Sequence, residues 1–156
     1  MSSAVFKNKA EFSKRYEDGV WEFVRFQLSG LVCPYKNLER ARFNYSHLPG
    51  ACFFGTNLRG TEFISANLRG AVFEEVRFDG ANLEAANLNG VKLIRIYLKG
   101  ANLSYAKLRG AILEKVILTN ADLSYADFSG AAIDADLTGV IFQQTIMPDG
   151  SIKSNN

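Results

Sequence analysis

Residues 101–131 read ANLSYAKLRGAILEKVILTNADLSYADFSGA, and in this stretch Leu or Phe returns at every fifth position. The same spacing extends from Leu38 to Ile133, and every residue on it is apolar. We call these residues the centres. Two positions before each centre stands a small or β-branched residue, most often Ala, whereas the residues beside the centre are mostly polar, as around Leu103. Because side chains alternate along an extended chain, each unit predicts a short strand with its centre facing inward.

A period of five excludes a helix, because five steps of 100° would spread the centres around the whole helix circumference. The two residues left over between successive strands must turn a corner. A chain that turns after every strand winds into a coil, and the inward residues of successive coils stack into one continuous core.

The corners follow a period of ten. Two residues after the centre, Gly recurs at every second corner from Gly50 to Gly130, except that Asn120 replaces it once. The third residue of a type II turn requires positive φ, which favours Gly or Asn, and the tetrapeptide LPGA at residues 48–51 also has Pro at the preferred second position. We predict type II turns at these corners and a different turn at the intervening ones.

Alternate corners that are alike are typical of a coil with four sides and about 20 residues per turn. The units ANLRG, ANLNG, ANLSY and ADLSY resemble the repeats of pentapeptide-repeat proteins, cyanobacterial members in particular. This resemblance implies an all-β fold, a right-handed quadrilateral parallel β-helix, over most of the chain. It implies no particular activity.

The composition divides the chain into three segments. They are an N-terminal cap at residues 1–19, the β-helix at residues 20–147, and a polar turn and tail at residues 148–156. Within the cap, Val5, Phe12 and Tyr16 lie on one helical stripe, and Gly19 follows as a stop signal. This favours a capping helix over residues 8–17, with an irregular strand as the alternative.

The repeat is interrupted near its C-terminal end. After Ile133 the next centre is Leu137, one residue early, which predicts a tight corner or a bulge near Asp134. The sequence SIKSNN at residues 151–156 is polar and predicts a poorly ordered tail.

Composition and charge argue against several classes of protein. The chain has no apolar run long enough to span a membrane, and residues 1–19 lack the apolar stretch of a signal peptide. A formal net charge of +2 is too small to indicate nucleic acid or an anionic membrane as partner. Two cysteines are too few for a disulfide scaffold. We therefore expect a cytoplasmic protein with no membrane span and no direct nucleic-acid binding.

The sequence offers no set of residues for catalysis. His47, the single histidine, occupies an outward position without a partner, and Cys33 is a centre while Cys52 faces outward, which argues against a disulfide between them. The Asn and Asp residues beside the centres, such as Asn67 and Asn87, are expected to satisfy backbone groups at the corners. We predict that the protein is not an enzyme and that it uses no cofactor and no metal ion.

Some outward positions on one part of the coil hold apolar residues and form a candidate partner surface. Its members are Phe54, Val72, Ile94, Tyr97, Ile112 and Ile117. Such a patch marks an interaction surface, but scattered exposed aliphatic residues are also normal, and both interpretations stay open. Glu74, Lys92 and Glu114 interrupt the patch. This favours a weak contact, and with it a monomer or a weak homodimer.

The sequence thus predicts a non-enzymatic scaffold that binds an unidentified protein partner. The alternative comes from the family, some of whose members protect DNA gyrase or another topoisomerase by mimicking DNA. Mimicry of DNA requires a strongly negative rod. Over residues 38–147 acids and bases are equal in number, with bases in the middle coils and acids toward the C-terminal end.

Overall fold

The computed structural model describes residues 7–155. In chain order the elements are α1 (Lys9–Glu17), β1 (Val32–Pro34), β2 (Cys52–Phe54), β3 (Val72–Glu74), β4 (Lys92–Ile94), β5 (Ile112–Ile117), β6 (Ala132–Asp136), β7 (Thr145–Ile146) and β8 (Ile152–Lys153). Strands β1 to β6 form one parallel sheet in sequence order. Cys33 pairs with Phe53 and Phe53 pairs with Phe73, a step of 20 residues. The predicted β-helix with about 20 residues per coil is therefore confirmed.

Each coil has four sides. Side 1 is the sheet β1–β6, and sides 2, 3 and 4 follow it in chain order. Parallel bridges with the same 20-residue step hold these three sides, joining Asn37 to Asn57, Glu62 to Asn82 and Asn67 to Asn87, respectively. The outward residues of successive coils consequently stand in straight columns, so a surface can be described column by column.

The core changes character along the coil axis. Near the N-terminal end, Phe43 stacks on Phe63 with ring centroids 4.8 Å apart, and Phe53 stacks on Phe73 at 5.0 Å. From Leu83 to Leu123 every centre is an aliphatic residue, and all of them are buried. Where the rings give way to leucines there is a cavity of about 10 Å³. Core packing is therefore close along the middle coils, and a substituted centre there has nowhere to move.

The corners confirm part of the turn prediction and correct the rest. Gly50 has φ 66°, and the Ala51 N–H donates to the Leu48 carbonyl at 3.1 Å, as a type II turn requires. The corner after side 3 was predicted to differ, but Tyr45 has φ 60° and the Ser46 N–H donates to the Phe43 carbonyl at 3.1 Å. That prediction was wrong, because positive φ does not require Gly where the ladder holds the backbone. The Tyr45 N–H donates to the Ile64 carbonyl of the next coil at 2.9 Å.

The corner that leaves side 1 does differ from the others. Tyr35, Gly55, Glu75 and Arg95 all have positive φ there. Among the described residues, however, no backbone hydrogen bond closes the turn across these four positions. The prediction of a second turn type is thus confirmed for one of the two intervening corners.

The predicted tight corner near Asp134 is confirmed. The pairing of β5 with β6 shifts by one residue between Leu113 and Val116. The chain of β5 turns through Lys115, which has φ 53°, whereas β6 turns without a residue of positive φ. One residue is saved at this corner, and beyond it the step between coils is 19, as in the bridge from Asp122 to Ile141.

Both ends of the coil carry caps. Helix α1 starts after Asn8, whose side chain accepts the Glu11 N–H at 3.0 Å, and it buries Phe12 against Phe23 with ring centroids 4.7 Å apart. The predicted capping helix is confirmed, although Val5, which the prediction included, lies outside the described residues. The buried Phe12 explains why the first coil has a closed core.

The prediction of a poorly ordered tail was wrong. Strand β8 pairs with β7 in antiparallel fashion, with Ile146 opposite Ile152. The Asn155 N–H donates to the Phe142 carbonyl at 2.8 Å, and the Gln144 N–H donates to Ser154 Oγ at 2.8 Å. The last coil leaves backbone groups without a following coil to pair with, and the polar tail satisfies them.

Gly139 provides a test of the C-terminal coil. It has φ 69°, and a methyl group at its Cα would lie 2.1 Å from Asn120 Oδ1. Gly80 has φ 67° with nothing within 4 Å of the same position. We expect Gly80→Ala to cost about 1–2 kcal/mol of unfolding free energy, from the left-handed backbone alone, and Gly139→Ala to cost clearly more.

Chemical unfolding of the two variants measures this difference. Combining Gly139→Ala with Asn120→Gly removes the clashing side chain and should bring the loss back to that of Gly80→Ala. Equal losses for the two single variants would contradict the described contact.

Candidate interaction surface

The six predicted surface residues divide between two sides. Phe54, Val72, Ile94 and Ile112 lie on side 1, and none of them is buried. Tyr97 and Ile117 pair with each other on side 2. The structure therefore brings four of the six onto one side, and the other two lie around the corner.

The most exposed apolar side chains of the described residues were missed by the sequence analysis. Val32 is 69% exposed and Tyr35 is 73% exposed. Both belong to the first coil, one step of 20 residues before Cys52 and Gly55. Extending the 20-residue register backwards by one coil would have found them, but the analysis treated that coil only as a degenerate cap.

Tyr35 lies over the first coils of side 1 in a defined position. Its ring contacts the Phe54 ring edge to face, with centroids 5.1 Å apart and an interplanar angle of 88°. The ring occupies the space beside Gly55, where a Cβ would lie 2.7 Å from Tyr35 Cδ1. Gly55 thus allows the ring to lie flat across the corner and to extend the apolar surface of side 1.

These residues form a continuous surface at the N-terminal end of side 1, which we call the apolar patch. It consists of Val32, Pro34, Tyr35, Cys52, Phe54 and Val72. Successive coils contribute adjacent members, since Val32 pairs with Cys52 and Cys52 pairs with Val72. The patch contains no charged side chain, so it is a better docking surface than the predicted strip as a whole.

Farther along side 1, charged residues interrupt the apolar columns. Glu74 stands between Phe54 and Ile94, and Lys92 stands between Val72 and Ile112. Arg95 donates to Glu74 and contacts Glu75 at 3.1 Å. Hydrogen bonding to Glu74 raises the pKa of Arg95. The C-terminal part of side 1 is therefore polar and largely self-neutralised.

Neither cysteine is placed for chemistry. Cys33 is buried as predicted, and desolvation raises the pKa of its thiol to about 11, so it stays protonated at neutral pH. Cys52 is half-buried within the apolar patch, and both thiols are free. A buried, protonated thiol cannot act as a nucleophile.

The polar residues beside the centres stabilise the corners. Asn67 Oδ1 accepts the Arg69 N–H at 3.1 Å, and Asp127 Oδ1 accepts the Ser129 N–H at 2.9 Å. This confirms the predicted role of the Asn and Asp columns. Within residues 7–155 no three His, Cys, Asp or Glu side chains converge in a way that could hold a metal ion.

Helix α1, with its nine residues, is far shorter than the about 20 residues needed to cross a bilayer. None of the helices in the described part of the chain could span a membrane.

The stacked strands, the 20-residue step and the single continuous core define a four-sided β-solenoid. The model of the family of pentapeptide repeats matches residues 23–60, 57–93 and 96–131, with eight copies of the repeat. The chain belongs to this family, as the resemblance of its units predicted.

Several solved structures are similar to this chain. The pentapeptide-repeat protein alr5209 from Nostoc PCC 7120 is 27% identical, with a TM-score of 0.55, covering 85% of this chain and 93% of that one. HetL, described as involved in heterocyst differentiation regulation in Nostoc sp. strain PCC 7120, is 22% identical, with coverages of 94% and 99% and a TM-score of 0.39. QnrB1, a plasmid-mediated fluoroquinolone resistance protein, is 16% identical, with coverages of 74% and 78% and a TM-score of 0.46. None of the curated proteins matches the chain.

Proposed function

We propose that this protein is a non-enzymatic scaffold that docks a protein partner on the apolar patch of side 1. The observation that carries the proposal is the continuity of the patch: six adjacent apolar residues without a charge, including the two most exposed apolar side chains of residues 7–155. Patches of this kind mark interaction sites. The cytoplasmic location stays a prediction from the cysteine content.

The patch has the features of an interaction centre. Tyr35 and Phe54 supply aromatic area, and aromatic side chains dominate the energetics of many interfaces. The strands beneath the patch are held by the ladder on both sides of β2, so the surface is rigid before a partner arrives. A preformed surface loses little conformational entropy on binding. The small size of the patch favours a weak or regulated contact over an obligate one.

The proposal is tested by affinity capture from cell lysate with quantitative mass spectrometry. The variant Val32→Lys/Tyr35→Lys places two charges in the apolar patch, and we expect it to lose at least 90% of the captured partner, since a desolvated charge in an interface costs several kcal/mol. The variant Val20→Lys/Ile141→Lys adds the same charge at exposed apolar positions outside the patch. It should capture the partner as the wild type does.

Circular dichroism first establishes that both variants keep the β-type spectrum of the wild type. Capture of the same proteins in the same amounts by both folded variants would overturn the proposal. An enzymatic turnover that disappears when outward residues are replaced would overturn its non-enzymatic part.

Gyrase binding by DNA mimicry finds no support in the arrangement of charges. Side 4 carries Arg69 and Lys107, which form no ion pair among the described residues, and Arg109, whose contact to Asp127 is 3.9 Å long. A cationic side would repel a DNA-binding groove. In a gyrase supercoiling assay we expect the protein neither to inhibit the enzyme nor to protect it from a quinolone.

A further inference from the structure

Side 4 differs from the other sides in its charge. Its outward columns contain Arg69, Lys107 and Arg109, and Lys92 stands just around the next corner. Elsewhere basic residues are paired, as Arg42 with Glu22 and Glu62 at 3.1 Å, but these four are free of close carboxylates within residues 7–155. Asp127 ends the cationic stretch at its C-terminal end. We call this stretch the cationic side.

Between these cations the cationic side presents hydrogen-bond donors. The carbonyl oxygens of Asn67, Asn87 and Asn89 each accept a backbone N–H, at 3.1, 3.1 and 2.9 Å. With those oxygens occupied, the amide groups offer only their NH₂ donors to a ligand. His47 Nδ1 lies 3.2 Å from Asn67 Nδ2. An amide nitrogen can only donate, so Nδ1 accepts and His47 Nε2 carries a further outward N–H.

A surface that carries donors and cations matches a ligand that carries only acceptors. Phosphodiester oxygens fit this description, because they are anionic and have no hydrogen to donate. Sugar hydroxyls and peptide groups would need acceptors as well. The cationic side is therefore complementary to a phosphate backbone.

The corner between sides 3 and 4 adds aromatic rings. Along it stand Tyr45, Ser65, Ala85, Tyr105 and Tyr125, and the three tyrosines are 50%, 54% and 40% exposed. The Tyr105 and Tyr125 rings are stacked, with centroids 4.8 Å apart and planes 5° from parallel. Such exposed stacked rings have no role in the core.

A gap separates the rings of this column. From Tyr45 to Tyr105 the coil advances by three steps of about 4.8 Å, or about 14 Å in all. Ser65 and Ala85 form the floor of the gap and leave it free of large side chains. Three planar rings at their usual stacking distance of about 3.5 Å fill such a gap between two tyrosines.

We propose that the cationic side and the tyrosine column together bind single-stranded nucleic acid. About three bases stack in the gap between Tyr45 and Tyr105, and the phosphates lie on Lys107, Arg69 and Arg109. A cationic track beside aromatic platforms is how proteins hold single strands without reading their sequence. The strand keeps to side 4, because Glu84 lies across the corner on side 3.

This proposal reverses the expectation from composition. A net charge of +2 indicated no nucleic-acid partner, but net charge sums over all four sides. The fold gathers unpaired cations on one side and pairs those of the others with carboxylates, so the local charge decides.

Fluorescence anisotropy with labelled 12-nucleotide strands of dT and dA tests the proposal. We expect both strands to bind, and a duplex of the same sequence to bind at least tenfold more weakly, because its bases cannot enter the gap. With three or four phosphates contacted, affinity should fall roughly 20- to 50-fold between 50 and 200 mM salt. Failure of the wild type to bind either single strand at 50 mM salt would overturn the proposal.

Two variants separate the phosphate contacts from stacking. Arg69→Glu/Lys107→Glu/Arg109→Glu should weaken binding at least tenfold, whereas Arg40→Glu/Arg59→Glu/Lys99→Glu, with the same change of net charge on side 2, should retain most of it. Equal losses in both triple variants would show a diffuse attraction and overturn the site.

The tyrosines have their own control. Tyr45→Ala/Tyr105→Ala should weaken single-strand binding by about 5- to 100-fold, the range expected for lost base stacking, while Tyr45→Phe/Tyr105→Phe keeps the rings and the affinity. Inorganic polyphosphate should bind the Ala variant as well as it binds the wild type. If the Ala variant bound the DNA strands as tightly as the wild type does, the surface would bind polyanions alone, and the proposal would fail.

Discussion

Replacing Leu83 by aspartate is expected to abolish folding. Leu83 is 2% exposed and lies in the middle of the stack, beside the change from aromatic to aliphatic centres. A buried carboxylate without a partner costs several kcal/mol, and removing the leucine adds the about 2–5 kcal/mol of a truncated core side chain. Together these approach the about 5–15 kcal/mol by which a domain of ordinary size is stable. Circular dichroism and size-exclusion chromatography measure the loss.

The position in the solenoid makes this effect larger than it would be near an end. Each coil contacts only its neighbours, so a defect in the middle leaves two short stacks, each with one open core. Leu83→Ala should fold and lose about 2–5 kcal/mol in chemical unfolding. Asn82→Asp is the matched surface control, because an aspartate keeps the oxygen that accepts the Glu84 N–H at 3.0 Å. A folded, soluble Leu83→Asp variant would show that the core is not packed as described.

Phe12→Ala is expected to cost about 3–5 kcal/mol of unfolding free energy. The Phe12 ring is 1% exposed, and its centroid lies 4.7 Å from that of Phe23 and 6.2 Å from that of Phe43. Without it, helix α1 loses its single fully buried side chain, and the first coil exposes aromatic surface to water. Urea unfolding followed by circular dichroism gives the value.

Ser13→Ala tests the other side of the same helix. Ser13 is exposed, so its replacement should change stability by less than about 0.5 kcal/mol. A similarly small loss for Phe12→Ala would mean that α1 does not close the coil in solution. Association of the Phe12→Ala variant at high concentration would be consistent with an uncovered end, since unpaired strand edges and exposed rings promote aggregation.

The two surfaces of this solenoid lie on adjacent sides. The apolar patch occupies side 1, and the cationic side begins one Gly corner before it, with Lys92 on the boundary. Since the coil is rigid, a protein held on one surface and a polyanion held on the other would sit at a fixed spacing. Each surface has its own variants, so the two proposals stand or fail separately.

The site could be predicted only in part from the sequence. Phe54, Val72, Ile94 and Ile112 were found because the register reveals which positions face outward. Val32 and Tyr35 were missed because the first coil lacks the small residues that mark the repeat, although its backbone follows the same 20-residue step. Tyr97 and Ile117 were grouped with side 1, because the sequence shows the order of the sides and not where the corner separates their surfaces.

The tail and the corners show a second limit. A tail of Ser, Lys and Asn carries no apolar signal, so its pairing with β7 depends on unpaired backbone groups of a coil that is distant in sequence. Likewise Tyr45 and Ala85 adopt positive φ because neighbouring coils hold the backbone there, although the residue types give no such preference.

The sequence by itself determined the architecture of this protein, because a five-residue period repeats one local rule, inward centre and outward neighbours, and a strand has only two faces for side chains to choose between. The tertiary structure alone decided which residues share a surface. Columns form between residues 20 apart, so ion pairs such as Arg95 with Glu75, ring contacts such as Tyr105 with Tyr125, and the free cations of side 4 arise only once the coils are stacked. Period sets the fold, and contact between coils sets the chemistry of its sides.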